Sequence, residues 1–153
     1  EEVALSINSI CATLRVGELN QGIRARCIQW CEHPQHAIRA AAATCLARCC
    51  AVGDEQAENI LLGMVQHPIT GDATPEDELL WIPKIRCNAI ESLGLICQRG
   101  SIKAVRCLII QASDDDWEVR WLAAESLGKV AARGDKKVCT ALLGLLRDKE
   151  AAV

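Results

Sequence analysis

The sequence predicts an all-α solenoid of stacked helical hairpins, on three observations. First, apolar residues in the stretch 115–135 recur at Val119, Leu122/Ala123, Ser126/Leu127 and Val130, the spacing of one helical face. Second, the stretch is repeated. Ile85-Arg86-Cys87-Asn88-Ala89-Ile90-Glu91-Ser92-Leu93-Gly94 lies over Val119-Arg120-Trp121-Leu122-Ala123-Ala124-Glu125-Ser126-Leu127-Gly128 without a gap, and residues 38–47 are a looser, earlier copy. Third, the punctuation repeats in register. Gly53, Gly100 and Gly134 follow the arginines of the copies, Arg39, Arg86 and Arg120, at one constant spacing. Each glycine precedes an N-cap residue, Asp54, Ser101 or Asp135. The same spacing, counted on from Gly100 and Gly134, reaches Asp114 and Asp148. Each unit is therefore helix A, a glycine turn, helix B and a short link. Neither helix buries its apolar stripe alone, so the units must stack.

Taken in order, the chain divides into units at about 1–33, 34–68, 82–114 and 115–153, with residues 69–83 inserted. The first unit has drifted. Residues 3–16 align with the A helices, but Val3 stands at the arginine position. Asn20 then caps a helix B over about 21–32, with Arg24, Arg26 and Gln29 on its exposed side. In the second unit an alanine-rich helix over 35–52 pairs with a helix over 54–66. His33-Pro34 recurs as His67-Pro68 at the interval that separates Arg86 from Arg120, which marks both histidines as helix-end residues.

In the insertion, residues 69–73 read as loop. Thr74-Pro75-Glu76-Asp77 reads as a cap, a proline at the first helical position and an acidic first turn. A short helix over 75–81 is expected, with Pro83 opening the next A helix. Trp81 and four acidic residues either project from the stack, as functional loops do, or Trp81 folds back over the core. The third unit pairs 84–99 with 101–113, burying Ile102, Val105, Leu108/Ile109 and Ala112 and exposing Lys103, Arg106 and Gln111. The fourth pairs 117–133 with 135–147, exposing Lys136, Lys137, Thr140 and Arg147. Asp115 with Glu118 suits a capping box at its start.

The motif D-x-x-W/x-V-R-x-x-A-A-x-x-L-G, followed by G-x-x-x-A/V-x-x-x-L-x-x-x-L-x-D, is almost complete in the copy around Arg120, good around Arg86 and moderate around Arg39. It resembles a HEAT repeat, most closely the short HEAT-like type of the phycobilisome lyases. The resemblance covers roughly residues 33–153, and residues 1–32 fit as a degenerate further unit. It implies a right-handed α-solenoid of about four HEAT-like hairpins, with the B helices lining a concave face. On that face Arg24, Arg26, Lys103, Arg106, Lys136 and Lys137 form a modestly basic strip. With Gln29, Gln111, Thr140 and Trp81 they are the candidate partner-binding residues. Arg39, Arg86, Arg120, Gly53, Gly100 and Gly134 are structural. The resemblance implies that each arginine pairs with the acidic residue closing the previous helix B. Arg120 has Asp114 at that offset, but Arg39 and Arg86 have His33 and Leu80, which leaves the ladder incomplete.

Composition narrows the function. The chain has 153 residues, a net charge of −3 and neither Phe nor Tyr, which argues against a nucleic-acid partner. No apolar run approaches the ~20 residues of a membrane span, and no signal-peptide pattern is visible. The chain starts without Met and stops where the next unit's arginine is expected, so it reads as a fragment of a longer array. Ten cysteines are present, and several align with small apolar positions, Cys45 with Ser92 and Ser126, and Cys50 with Cys97 and Ala131. They read as reduced core residues of an intracellular protein, cytoplasmic or organellar. Cys27-x-x-x-Cys31-x-His33-x-x-His36 has zinc-ligand residue types, yet both cysteines lie on the line helix B must bury, and Cys45 and Cys49 repeat the spacing. No metal or cofactor is assigned.

No phosphate loop, nucleophile elbow, H-E-x-x-H or C-x-x-C motif is present. Deoxyhypusine hydroxylases, whose repeats resemble these, hold iron through a His-Glu pair after the V-R position. Here those slots are Ala40-Ala41, Cys87-Asn88 and Trp121-Leu122. The expected function is a non-catalytic protein–protein interaction scaffold, or an accessory subunit of a larger assembly, binding a partner through the concave helix-B face and the 69–83 insertion. The alternative is a phycobilin-lyase-like, chromophore-handling protein.

Overall fold

Polar side chains fix where the helices begin. In the computed structural model, which describes residues 7, 9, 21–68 and 74–150, seven helices are α1 (Gln21–Cys31), α2 (His36–Cys49), α3 (Glu55–Gln66), α4 (Pro75–Ile96), α5 (Ile102–Gln111), α6 (Trp117–Val130) and α7 (Lys136–Leu145). No strand occurs among the described residues. Asp54, Ser101 and Asp135 cap α3, α5 and α7, accepting from the amides of Ala57, Ala104, and Lys137 with Val138. Asp116, not Asp115, caps α6; it accepts from the amides of Glu118 and Val119. Apart from Ile7 and Ser9, the expected first A helix lies outside the described residues, as do Asn20, the loop 69–73 and residues 151–153.

Two of the A helices end in an extended residue, Cys50 (ψ 150°) after α2 and Ala131 (ψ 143°) after α6. These helices therefore stop short of the predicted ends. The chain then turns through Gly53, Gly100 and Gly134, at φ 87°, 91° and 79°. That left-handed region costs a residue with a Cβ about 1–2 kcal/mol.

Two layers result. The A helices α2, α4 and α6 pack in series, as do the B helices α1, α3, α5 and α7. Each of the first three B helices also packs on the A helix of the following unit, α1 on α2, α3 on α4 and α5 on α6. For α3 that contact is far more extensive than the one with its own A helix, α2. This is an α-solenoid of helical hairpins. Small residues let the A helices approach. Ala40, Ala41, Ala42 and Ala43 are all buried in α2. Across the layer, Asn88 Nδ2 donates to the Ala40 carbonyl at 2.8 Å, Ser92 Oγ to Ala43 at 3.0 Å and Ser126 Oγ to Ile90 at 3.1 Å.

Two sequence expectations are corrected. The short helix and the A helix from Pro83 are one helix, α4, with Pro83 inside it. Proline fits the helical φ and deletes one hydrogen bond, that to the carbonyl four residues back. That carbonyl belongs to Leu79, a residue 83% exposed, so water can satisfy it. Ile102 is 67% exposed rather than buried. It opens α5 at the register position of Glu55 and Lys136, which point outward in the sister units. No helix of the described residues is long and apolar enough to cross a membrane.

The close approach of α4 and α6 generates a test. A Cβ on Gly94 would lie 2.7 Å from Ser126 Oγ and 3.3 Å from Ser126 Cα, whereas nothing lies within 4 Å of one on Gly128. Gly128→Ala should stabilise by up to ~1 kcal/mol through helix propensity. Gly94→Ala, at the same motif position, should destabilise by ~1–3 kcal/mol through overpacking. Urea unfolding of the two variants reads the opposite signs.

Candidate protein-interaction face

The face is built on a ladder that uses several of the cations. Arg120 places Nε and one terminal nitrogen on Asp148 at 2.6 and 2.7 Å, and the other on the carbonyls of Asp114 and Asp115 at 3.0 and 2.9 Å. Arg86 donates to Asp114 Oδ2 at 2.9 Å. The carboxylate partner thus stands ahead of the arginine, at the end of its own unit. It is not the acidic residue closing the previous helix B, which gives Arg120 only its carbonyl. Arg39 has His67 at the forward position. It takes carbonyls instead, those of His33 at 2.8 Å, Pro34 at 3.3 Å and Pro68 at 3.2 Å, with His36 Nδ1 at 2.5 Å. Burial without a carboxylate pulls the Arg39 guanidinium below its ordinary value.

The other rungs are main-chain bonds. The Gly53 amide donates to the last carbonyl of α4, Ile96, at 2.7 Å, and the Gly100 amide to that of α6, Val130, at 2.6 Å. This repeated unit-to-unit register accompanies the sequence copies.

Residues 81–153 match the family model of HEAT repeats. The match covers just under half of the chain and supports a HEAT-repeat family. No curated protein matches the chain. HEAT repeats generally mediate protein–protein interaction. The surface that the ladder leaves free is therefore where a partner is to be sought.

On the B-helix layer the candidate residues separate into engaged and free. Arg24 is engaged. It forks onto Asp54 at 2.9 and 3.0 Å and reaches Gln56 at 3.0 Å, so it ties α1 to the cap of α3. The bond to Arg24 holds the Asp54 carboxyl below its ordinary value. Arg26 donates to Gln29 at 3.3 Å and lies 5.9 Å from the Trp30 ring centroid, within cation–π range. Lys103 reaches Asn59 at 3.2 Å and lines a polar cavity of about 370 Å³ with Glu55 and Glu58. Trp81 packs half-buried on the core, its ring 6.4 Å from that of His36.

Gln111 is buried rather than exposed, with its side-chain oxygen lacking a hydrogen-bond partner among the described residues. It stands at the core position of Met64 and Leu145 in the sister units, a register match visible in the sequence. Thr140 is exposed but donates back to the Lys136 carbonyl at 2.9 Å. It lines a cavity of about 620 Å³ beside the Arg120–Asp148 pair.

Arg106, Lys136 and Lys137 remain. Among the described residues none forms an ion pair with them. They surround a cavity of about 290 Å³ between α5 and the start of α7, whose apolar wall is Ile102, Val105 and Ile109. Asp135, also on its lining, is occupied as the α7 cap.

The ladder sets a pH dependence. Hydrogen bonds from Arg120, and from the Glu150 amide, lower the Asp148 carboxyl from 3.8 to about 2. A carboxyl depressed in the folded state adds stability above its unfolded pKa and loses it as pH falls through the folded one. The stabilisation should be complete above pH 3.8 and fade towards about 2. Asp148→Asn should lower Tm at neutral pH and flatten the acid limb of Tm against pH across that window, as measured by calorimetry.

Proposed function

We propose that the chain is a non-catalytic scaffold, or an accessory subunit of a larger assembly. It binds a protein segment in which an aliphatic side chain is flanked by carboxylates. The observation that carries this reading is the α5–α7 cavity: an apolar wall of Ile102, Val105 and Ile109 under three cations, Arg106, Lys136 and Lys137. The wall supplies burial, at ~25 cal/mol per Å² of apolar surface. The cations supply orientation and a faster encounter with an acidic partner. Lys103 belongs to the separate polar cavity beside Glu55 and Glu58, while Arg24 and Gln111 serve the fold.

The reading is tested by recovering partners from native lysate with the full protein and with the charge-reversed variant Arg106→Glu/Lys136→Glu/Lys137→Glu. A stoichiometric protein should be retained by the native chain and cross-link through Lys136 or Lys137. Its affinity should fall with salt and drop about tenfold or more in the variant. Equal retention by the variant, or a chain recovered with a bound chromophore and no protein, would overturn the proposal.

A further inference from the structure

Two cavities of this solenoid are one repeated feature. One, of about 270 Å³, lies between α3 and the start of α2. The other is the cavity of about 620 Å³ beside Arg120. Arg39, Gly63, Met64 and His67 line the first where Arg120, Gly144, Leu145 and Asp148 line the second, at one constant spacing along the chain. The two guanidinium groups are also held alike. Arg39 Nη1 donates to the carbonyls of His33 and Pro34, and Arg120 Nη1 to those of Asp114 and Asp115, the same register positions.

The other edge of each arginine differs. In Arg120, Nε and Nη2 fork onto the Asp148 carboxylate. In Arg39 the matching edge turns to the side where His67 stands at the aspartate position. Its Nη2 meets His36 and the Pro68 carbonyl, and its buried Nε has no hydrogen-bond partner among the described residues. Arg86 also has an unpartnered Nε, but Asp114 balances its charge. Among the described residues no carboxylate pairs with Arg39, although it is 2% exposed. A buried cation without a counter-charge is costly, and both sister units meet that cost with an aspartate. Burial draws the Arg39 guanidinium down, whereas the bond to Asp148 raises that of Arg120.

The cavity leads from solvent to this arginine. Glu32 and His67 on its lining are exposed, and Arg39 lies at its inner side. Ile60 and Met64 give it an apolar wall. Gly63 keeps it open, since a Cβ there would meet nothing within 4 Å. A glycine inside a helix weakens that helix, and α5 has Ile110 at the same position. The volume falls below the roughly 300–1,000 Å³ of sites for drug-sized ligands, so a small molecule fits. Glu32 at the mouth disfavours a second negative charge.

We propose that this cavity binds a small aliphatic monocarboxylate. One carboxylate oxygen accepts from Arg39 Nε, as Asp148 accepts from Arg120 Nε, and the short chain lies against Ile60 and Met64. The ligand brings from solution the charge that the sister units carry in their own sequence. The site is separate from the α5–α7 cavity and does not depend on a protein partner.

The probe is sodium propionate, titrated into the full native protein against sodium chloride at equal ionic strength. The assigned arginine Nε–H signals are followed by NMR, and Tm is measured by calorimetry. Propionate should give a saturable shift at Arg39, leave Arg86 and Arg120 unmoved, and raise Tm, as binding to the native state requires. His67→Asp, a change at an exposed residue, supplies the carboxylate within the chain. It should raise Tm without propionate and weaken propionate binding about tenfold or more. Gly63→Leu should fill the cavity and weaken binding too, while Glu32→Gln should strengthen it. The absence of a saturable shift at Arg39, an equal response to chloride, or undiminished binding by His67→Asp would overturn the proposal.

Discussion

At Gly53 and Gly100 the turn residue aims its amide at the final carbonyl of the neighbouring A helix, and the rest of the stack depends on that bond. A left-handed residue frees the amide from its own helix, and a helix terminus offers carbonyls without intrahelical donors. Joining the two satisfies both units and fixes their translation. No side chain takes part, so the bond survives extensive sequence drift. Ser92 and Ser126 then hold the A layer at a second level, and Arg86 and Arg120 close the opposite end of each unit. Neighbouring units are thus pinned at the turn and in the middle, and each of these two units is closed on itself at the link.

This division explains which polar residues remain for a partner. Arg24, Arg39, Arg86 and Arg120 are all half-buried or buried, with hydrogen bonds inside the fold. A forked guanidinium suits that role because it can bind a carboxylate and two carbonyls together. Around the α5–α7 cavity most of the cations are lysines at the start of α7, where no cap or ladder needs them.

Much of the fold was legible in the sequence, because the signals were periodic. The copies around Arg39, Arg86 and Arg120 marked out the units, and the glycine–cap dipeptides marked the turns that the structure shows at positive φ. Part of the ladder was also legible, since the constant spacing that leads from arginine to glycine leads on from Gly100 and Gly134 to the aspartates that receive the arginines. The carboxylate pairing runs forward along the chain, opposite to the direction the resemblance implies. The polarity of Gln111 predicts exposure, whereas its register with Met64 and Leu145 places it in the core. The groove at Ile102, Val105 and Ile109 was not legible at all. It depends on how closely α5 and the start of α7 approach, and apolar periodicity does not record that.

The uneven packing of the B helices has a consequence for how this chain can be divided. α3 shares its core chiefly with the A helix of the next unit, and α1 and α5 lie on the A helices that follow them. The repeat written in the sequence and the repeat that buries surface are therefore out of phase by one helix. A cut at a link, where alignment would place a boundary, parts α3 from α4 or α5 from α6 and opens broad hydrophobic seams. A cut at the turn between α2 and α3 spares those B-on-A seams, although it still parts α2 from α4. The natural building block begins with a B helix and ends with the A helix that follows it.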